Sequence, residues 1–272
     1  GDTDELRSIV TEEVRPVALC YNSRASTVFS ANYEGNTVSV IDGVRDMRIA
    51  SMATGEGPNA LVYNPQDNRV YCANFIANTV TVMNGATNAV IVELGVGLEP
   101  RSLCYSPENN TIYCANSNDT TVTVIDGSTN QVLMNIAVDD KPNGLAYDAR
   151  HNRVYCGHAF NGQVTVIDCA TNTVLARVNV GGDPTVVLCS PEEDFVYCAD
   201  WLDDRVTVIR STSNSIVASI EVGRRPSTLL YNPISHRMYS TDYAGATTTV
   251  AASATRVARY GGTQVDNGDW IS

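Results

Sequence analysis

Six prolines stand 42 residues apart along this chain, at Pro16, Pro58, Pro100, Pro142, Pro184 and Pro226. No insertion or deletion interrupts the series, and six copies of this length span nearly all of the 272 residues. A fixed period of this length marks a repeat architecture, in which each copy buries its apolar faces against its neighbours. One domain over residues 1–272 is therefore expected, although the length alone would also allow two.

The third copy shows the unit. Ser102–Tyr105 is an apolar run ending at the Ser-Pro-Glu-Asn turn, and Thr111–Ala115 follows as its hairpin partner. Thr121–Asp126 alternates as TVTVID and ends in Asp-Gly, a strong hairpin signal. Val132–Val138 is the fourth strand. Val, Ile, Thr and Tyr dominate, as half-buried pleated strands require, and no stretch has a helical period. The fold class expected is all-β: a six-bladed β-propeller of four-stranded antiparallel blades. Leu6–Val10 stands at the phase of a fourth strand ahead of its own blade, so it is expected to close the ring on the sixth blade. Residues 253–272 have lost the pattern and are expected to form an irregular tail.

The copies also share a signature. VYCAN, then NTVTVMNGATNAV, then a Val-Gly-x-x-Pro return, resembles the YVTN family of β-propeller repeats. The family tetrapeptide reads YCAN at Tyr71–Asn74 and Tyr113–Asn116, with departures to YCGH, YCAD and YSTD at Tyr155, Tyr197 and Tyr239. The resemblance covers about residues 14–250. It implies a propeller, commonly of an exported or cell-surface prokaryotic protein, and no single activity.

Within a repeat, residues that recur at one phase build the shape, and residues that break the phase invite another reading. Ten of the 13 tyrosines occupy two phases, five and thirteen residues after the proline, with Phe29 in the second set. Both sets are expected to pack between blades. Tyr33, Phe75, Trp201 and Tyr243 stand seventeen after their prolines, and Phe160 one further along its copy. All five fall in the loop from second to third strand, which emerges at the same sheet edge as the proline loop. With Arg101 they are the expected ligand-binding residues, placed around one mouth of the channel. The competing reading is that each ring caps the neighbouring blade.

At the phase just before that of these aromatics, sixteen after each proline, stand Asn32, Asn74, Asn116, His158, Asp200 and Asp242. The amides have a structural explanation in turn formation. His158, Asp200 and Asp242 are weak metal candidates: lying one strand from the channel, equivalent points on adjacent blades should be on the order of 10 Å apart, against metal–ligand bonds of about 2.0–2.6 Å. No metal and no cofactor is expected. The six five-residue loops beginning at these positions carry a net charge of −6, half of it in Asp200–Asp204, with Arg101, Arg224 and Arg225 as basic exceptions nearby. An acidic, aromatic-edged mouth suits a small polar or cationic ligand or a basic protein segment.

Other function classes recede. A net charge of −12 argues against nucleic acid and anionic membrane as partners, and no apolar run approaches a membrane span. The start, GDTDELRSIV, lacks the basic and apolar regions of a signal peptide. The eight cysteines contain no CxxC pair, and four recur at one phase (Cys72, Cys114, Cys156 and Cys198). Equivalent positions of adjacent copies are too far apart for a disulfide, so free thiols are expected, which favours a reducing compartment where the resemblance favours export. No nucleophile elbow or phosphate-binding loop is present. The reading is a monomeric, non-catalytic binding or scaffold propeller. The alternative is a metal-assisted hydrolase, lactonase or lyase centred on His158, Asp200 and Asp242.

Overall fold

The computed structural model describes residues 9–10 and 14–252. They form 23 strands and no helix, in six antiparallel sheets: five of four strands, and a sixth of three, Pro226–Asn232, Arg237–Asp242 and Thr247–Ala252. These are the blades of a six-bladed β-propeller. In the first, Pro16–Asn22, Thr27–Asn32, Thr37–Asp42 and Met47–Ala53 pair in chain order. Each of the six prolines opens the first strand of its blade, where its missing N–H removes no ladder bond. The expected closing strand Leu6–Val10 lies mostly outside the described residues; Ile9 and Val10 are described and belong to no strand. The tail from 253 onward lies outside them as well.

The chain divides into two compact units, 1–119 with 123–135, and 120–122 with 136–272. The first therefore holds almost all of blades one to three, and the second holds blades four to six. Period-two alternation in the second strand explains the packing inside each unit. Tyr71 and Ala73 face one side, opposite Val82 and Val80, while Val70 and Cys72 face the other. One side packs forward and the other back: Tyr71, Val80 and Val82 join Ile112, Cys114 and Ile125 of the next blade. The same set recurs with Tyr155, Val164 and Val166 against Val196, Cys198 and Ile209. The recurring cysteines are thus small apolar fillers. Cys72, Cys114, Cys156 and Cys198 are fully buried, burial raises their thiol pKa, and all eight cysteines are free.

The two tyrosine sets differ. At the later phase Phe29, Tyr71, Tyr113, Tyr155 and Tyr197 are fully buried, as expected, whereas Tyr239 is half-buried. Tyr71 reaches into the next blade, its hydroxyl donating to Asn130 Oδ1 at 2.8 Å. Tyr71→Phe is expected to cost about 1–1.5 kcal/mol, read as a lower urea midpoint at unchanged slope. The earlier set is not a core ladder throughout. Tyr21 is 56% exposed. Tyr63, Tyr105 and Tyr147 are half-buried. Their hydroxyls lie 3.0–3.2 Å from Oδ1 of Asn68, Asn110 and Asn152. Those asparagines hold left-handed backbone in the first hairpin turn, so these tyrosines clamp the turn, while Tyr63 and Tyr105 also pack against the core between blades and Tyr231 is buried in it.

Candidate functional site

The proline edge of each blade is built by three repeated devices. First, the residue before the proline takes positive φ at Arg15, Gly57, Glu99, Lys141 and Arg225. Its carbonyl accepts from the backbone N–H seventeen after the proline, which is Tyr33, Phe75 or Tyr243 for Arg15, Gly57 and Arg225, at 2.8–2.9 Å. Second, Asn36, Asn78 and Asp204 accept, through Oδ1, the backbone N–H of Gly57, Glu99 and Arg225 in the following blade. Third, the register slips just after each proline: Pro100 pairs with Asn116 but Ser102 with Ala115. Arg101 is therefore a bulge residue, as are Val17 and Asn59 in the two preceding blades. A bulge re-aims a side chain out of the pleat.

In the first unit these devices gather one cleft. Arg15, Val17, Tyr33, Asn59, Phe75 and Arg101 line a cavity of about 320 Å³. Tyr33 and Phe75, from adjacent blades, meet with ring centroids 6.5 Å apart at 46°. The Arg15 guanidinium lies 4.8 Å from the Tyr33 centroid and that of Arg101 5.8 Å from the Phe75 centroid. Contact thus runs from Arg15 through Tyr33 and Phe75 to Arg101, two cations and two rings with no carboxylate in the lining.

The second unit repeats the motif. Trp201 stacks on Tyr243 of the next blade at 5.6 Å, and Arg225 covers Trp201 at 5.7 Å. Phe160 is 71% exposed with Lys141 at 5.6 Å, and Tyr243 is 73% exposed. The expected aromatics therefore pair within each unit, Tyr33 with Phe75 and Trp201 with Tyr243, and bridge adjacent blades as they do so. Phe160 stands apart with Lys141. The acidic character expected from the loop sequences is offset locally, because four of the five rings carry a cation from the residues flanking the prolines.

The position before the aromatics turns inward instead. Asn32, Asn74, Asn116, His158 and Asp200 are fully buried and Asp242 nearly so. The amide Nδ2 donates to a third-strand hydroxyl: Ser39 from Asn32, Thr81 from Asn74, Thr123 from Asn116, at 2.8–3.0 Å. His158 keeps the same partner type, Nε2 lying 2.8 Å from Thr165 Oγ1 and Nδ1 3.1 Å from the Asp140 carbonyl. Burial lowers its pKa. Asp242 accepts from Thr247, Thr249 and Ser240 at 2.8–3.0 Å. Asp200 breaks the rule: Oδ1 accepts the Asp183 N–H, and Oδ2 is buried without a hydrogen bond. Burial, aided by the charges of Asp203 and Asp183 and opposed by that N–H and Arg205, pushes its pKa up to about 7. Among the described residues, no three His, Cys, Asp or Glu side chains are placed to share a metal ion.

Comparison with known proteins agrees with this construction. The YNCE-like β-propeller family matches residues 9–113. Among solved structures, a chain of the hydrazine synthase of Kuenenia stuttgartiensis superposes with a TM-score of 0.60 at 17% identity, over 93% of this chain and 99% of that one. A chain of a mitotic checkpoint complex superposes at 0.71 and 14% identity, over 84% of this chain and 71% of that one. This is a β-propeller built of sequence repeats. No curated protein matches it in sequence, and structural likeness at such identities establishes the fold alone. Among the described residues, no helix is long and apolar enough to cross a membrane. For this propeller, sequence reasoning points to Tyr33, Phe75 and Arg101 but misses Arg15, Val17 and Asn59. The signal was available: all three flank a proline at the phases of Arg101 and of its left-handed neighbour.

Proposed function

We propose that this propeller is a non-catalytic binding or scaffold protein that takes a small ligand or a protein segment at the proline edge of its blades. The observation that carries this reading is the cleft of the first unit. Its volume lies in the range of small-molecule sites, and it combines apolar ring surface with a few convergent polar groups. Its walls come from the ends of three blades, held by the hydrogen bonds described above, so the site is formed before a ligand arrives. The alternative, a metal-assisted hydrolase or lyase, is not favoured. Its residues face into their own blades, where hydroxyls and backbone groups engage them.

A screen of several hundred small polar compounds by thermal shift, repeated on Phe75→Ala, tests the reading. Binders are expected to lose at least about tenfold in affinity in the variant, about 1.4 kcal/mol or more. If every binder is indifferent to both Phe75→Ala and Tyr33→Ala, recognition at this cleft is wrong.

A further inference from the structure

We infer that the first-unit cleft binds a small organic anion, its charge held by Arg101 and Arg15 and its flat or apolar body laid against Tyr33 and Phe75. This rests on the binding reading above and names its ligand chemistry. It also reverses the cationic ligand that the loop charges alone suggest. The cleft lining contains two guanidinium groups and no acid. Arg101 is exposed, projects from a bulge and makes no ion pair with any described residue. Arg15 touches Glu34 at 3.3 Å, but those side chains are 59% and 53% exposed. A pair so open to solvent contributes little and yields readily to a competing anion. Guanidinium N–H groups radiate in the plane of the fork, so a guanidinium lying over a ring still presents donors to a carboxylate or phosphate.

A cationic ligand would meet two like charges here, and each ring already carries an arginine. A neutral ligand would gain ring contact but nothing from the arginines. The cleft suits one ring with substituents rather than a polymer. The chain's net charge of −12 repels anions at long range, so affinity arises at contact distance and falls with added salt.

Calorimetric titration of the full chain at low salt tests this, with benzoate, phenyl phosphate, inorganic phosphate, benzyl alcohol and benzylamine as probes. The better of benzoate and phenyl phosphate is expected to bind at least about tenfold more tightly than benzyl alcohol and benzylamine, with Kd at or below about 1 mM. Which of the two leads tells carboxylate from phosphate recognition. Arg101→Ala should cost at least about tenfold, and Arg101→Lys less, because a point charge replaces the fork. Arg101 is exposed, so its urea midpoint should not move. Inorganic phosphate binding as well as phenyl phosphate would overturn the inference, since the rings would then contribute nothing. Benzylamine or benzyl alcohol matching the anions, with loss in Phe75→Ala, would overturn it and leave the cleft as a binding site. Absence of heat from every anionic probe up to about 10 mM would overturn it as well, while the Phe75→Ala screen decides the broader reading separately.

Discussion

Alanine at position 157 is expected to destabilise the protein by about 3 kcal/mol, even though alanine is the residue this position carries in four of the other five blades. Ala31, Ala73, Ala115 and Ala199 occupy the same phase and are fully buried. In the fourth blade the phase is held by Gly157, and a Cβ there would land on the Pro184 carbonyl oxygen, with Val187 Cγ2 at 2.9 Å. Gly144, its partner across the strand pair, is in the same position against the Thr185 carbonyl. Two facing glycines thus let the fifth blade's first strand approach the fourth more closely than a methyl group allows. The obstruction is backbone, not the tip of a movable side chain, so relief requires shifting a strand, which places the cost at the upper end of overpacking. Equilibrium urea unfolding should show the midpoint fall with the slope unchanged. A loss under about 0.5 kcal/mol, the size of an ordinary surface substitution, would mean that the blades part freely.

The opposite result is expected when Asp200 is replaced by the residue that blades one to three carry. Asp200→Asn should stabilise the protein by about 2–4 kcal/mol at pH 8 and by little near pH 4. The wild-type carboxyl is fully buried, has one oxygen without a hydrogen bond, and titrates at about 7 rather than the ordinary 3.8. A folded-state pKa above the unfolded value means that the native state binds the proton more tightly. Raising the pH from about 4 to about 7 therefore costs stability, and the cost is complete above 7. Asparagine carries no charge to desolvate. Its Oδ1 retains the Asp183 N–H, and its Nδ2 fills the role seen at Asn74 and Asn116, donating to the third-strand hydroxyl, here Thr207. Urea midpoints of both proteins at pH 4.5 and pH 8 give the measurement. An equal gap at the two pH values would show that burial does not raise the pKa of Asp200.

These two substitutions both move the chain toward its own repeat, yet their expected signs differ, and the difference shows what a repeat does and does not disclose. At position 200 the irregular residue leaves its blade with an unsatisfied carboxyl, and regularity is restored by a single side chain. At position 157 the irregular residue matches a second one, Gly144, and a displaced neighbouring strand. The period identifies both departures but cannot rank them, because their energies depend on what stands across the blade interface.

The same division runs through the site. Tyr33, Phe75, Trp201 and Tyr243 are legible in the sequence because they share a phase, and a phase is a property of the chain alone. That two of them pair with each other, that Arg15 and Arg101 cover the first pair, and that Asn59 and Val17 complete the lining is not legible. Those facts follow from a bulge after each proline and a left-handed residue before it. The likeness of His158, Asp200 and Asp242 to a ligand set misleads for a related reason. Counting places them beside the aromatics, while strand alternation turns them inward to the threonine hydroxyls.

The blade count, strand order and alternation follow from 42-residue spacing and period-two patterning, since each is set by covalent separation and by the backbone geometry of one strand. The cleft, its two cations and the close approach at Gly157 belong to the tertiary structure. They bring residues of different blades together, and whether such residues touch is decided by how tightly one blade packs on the next.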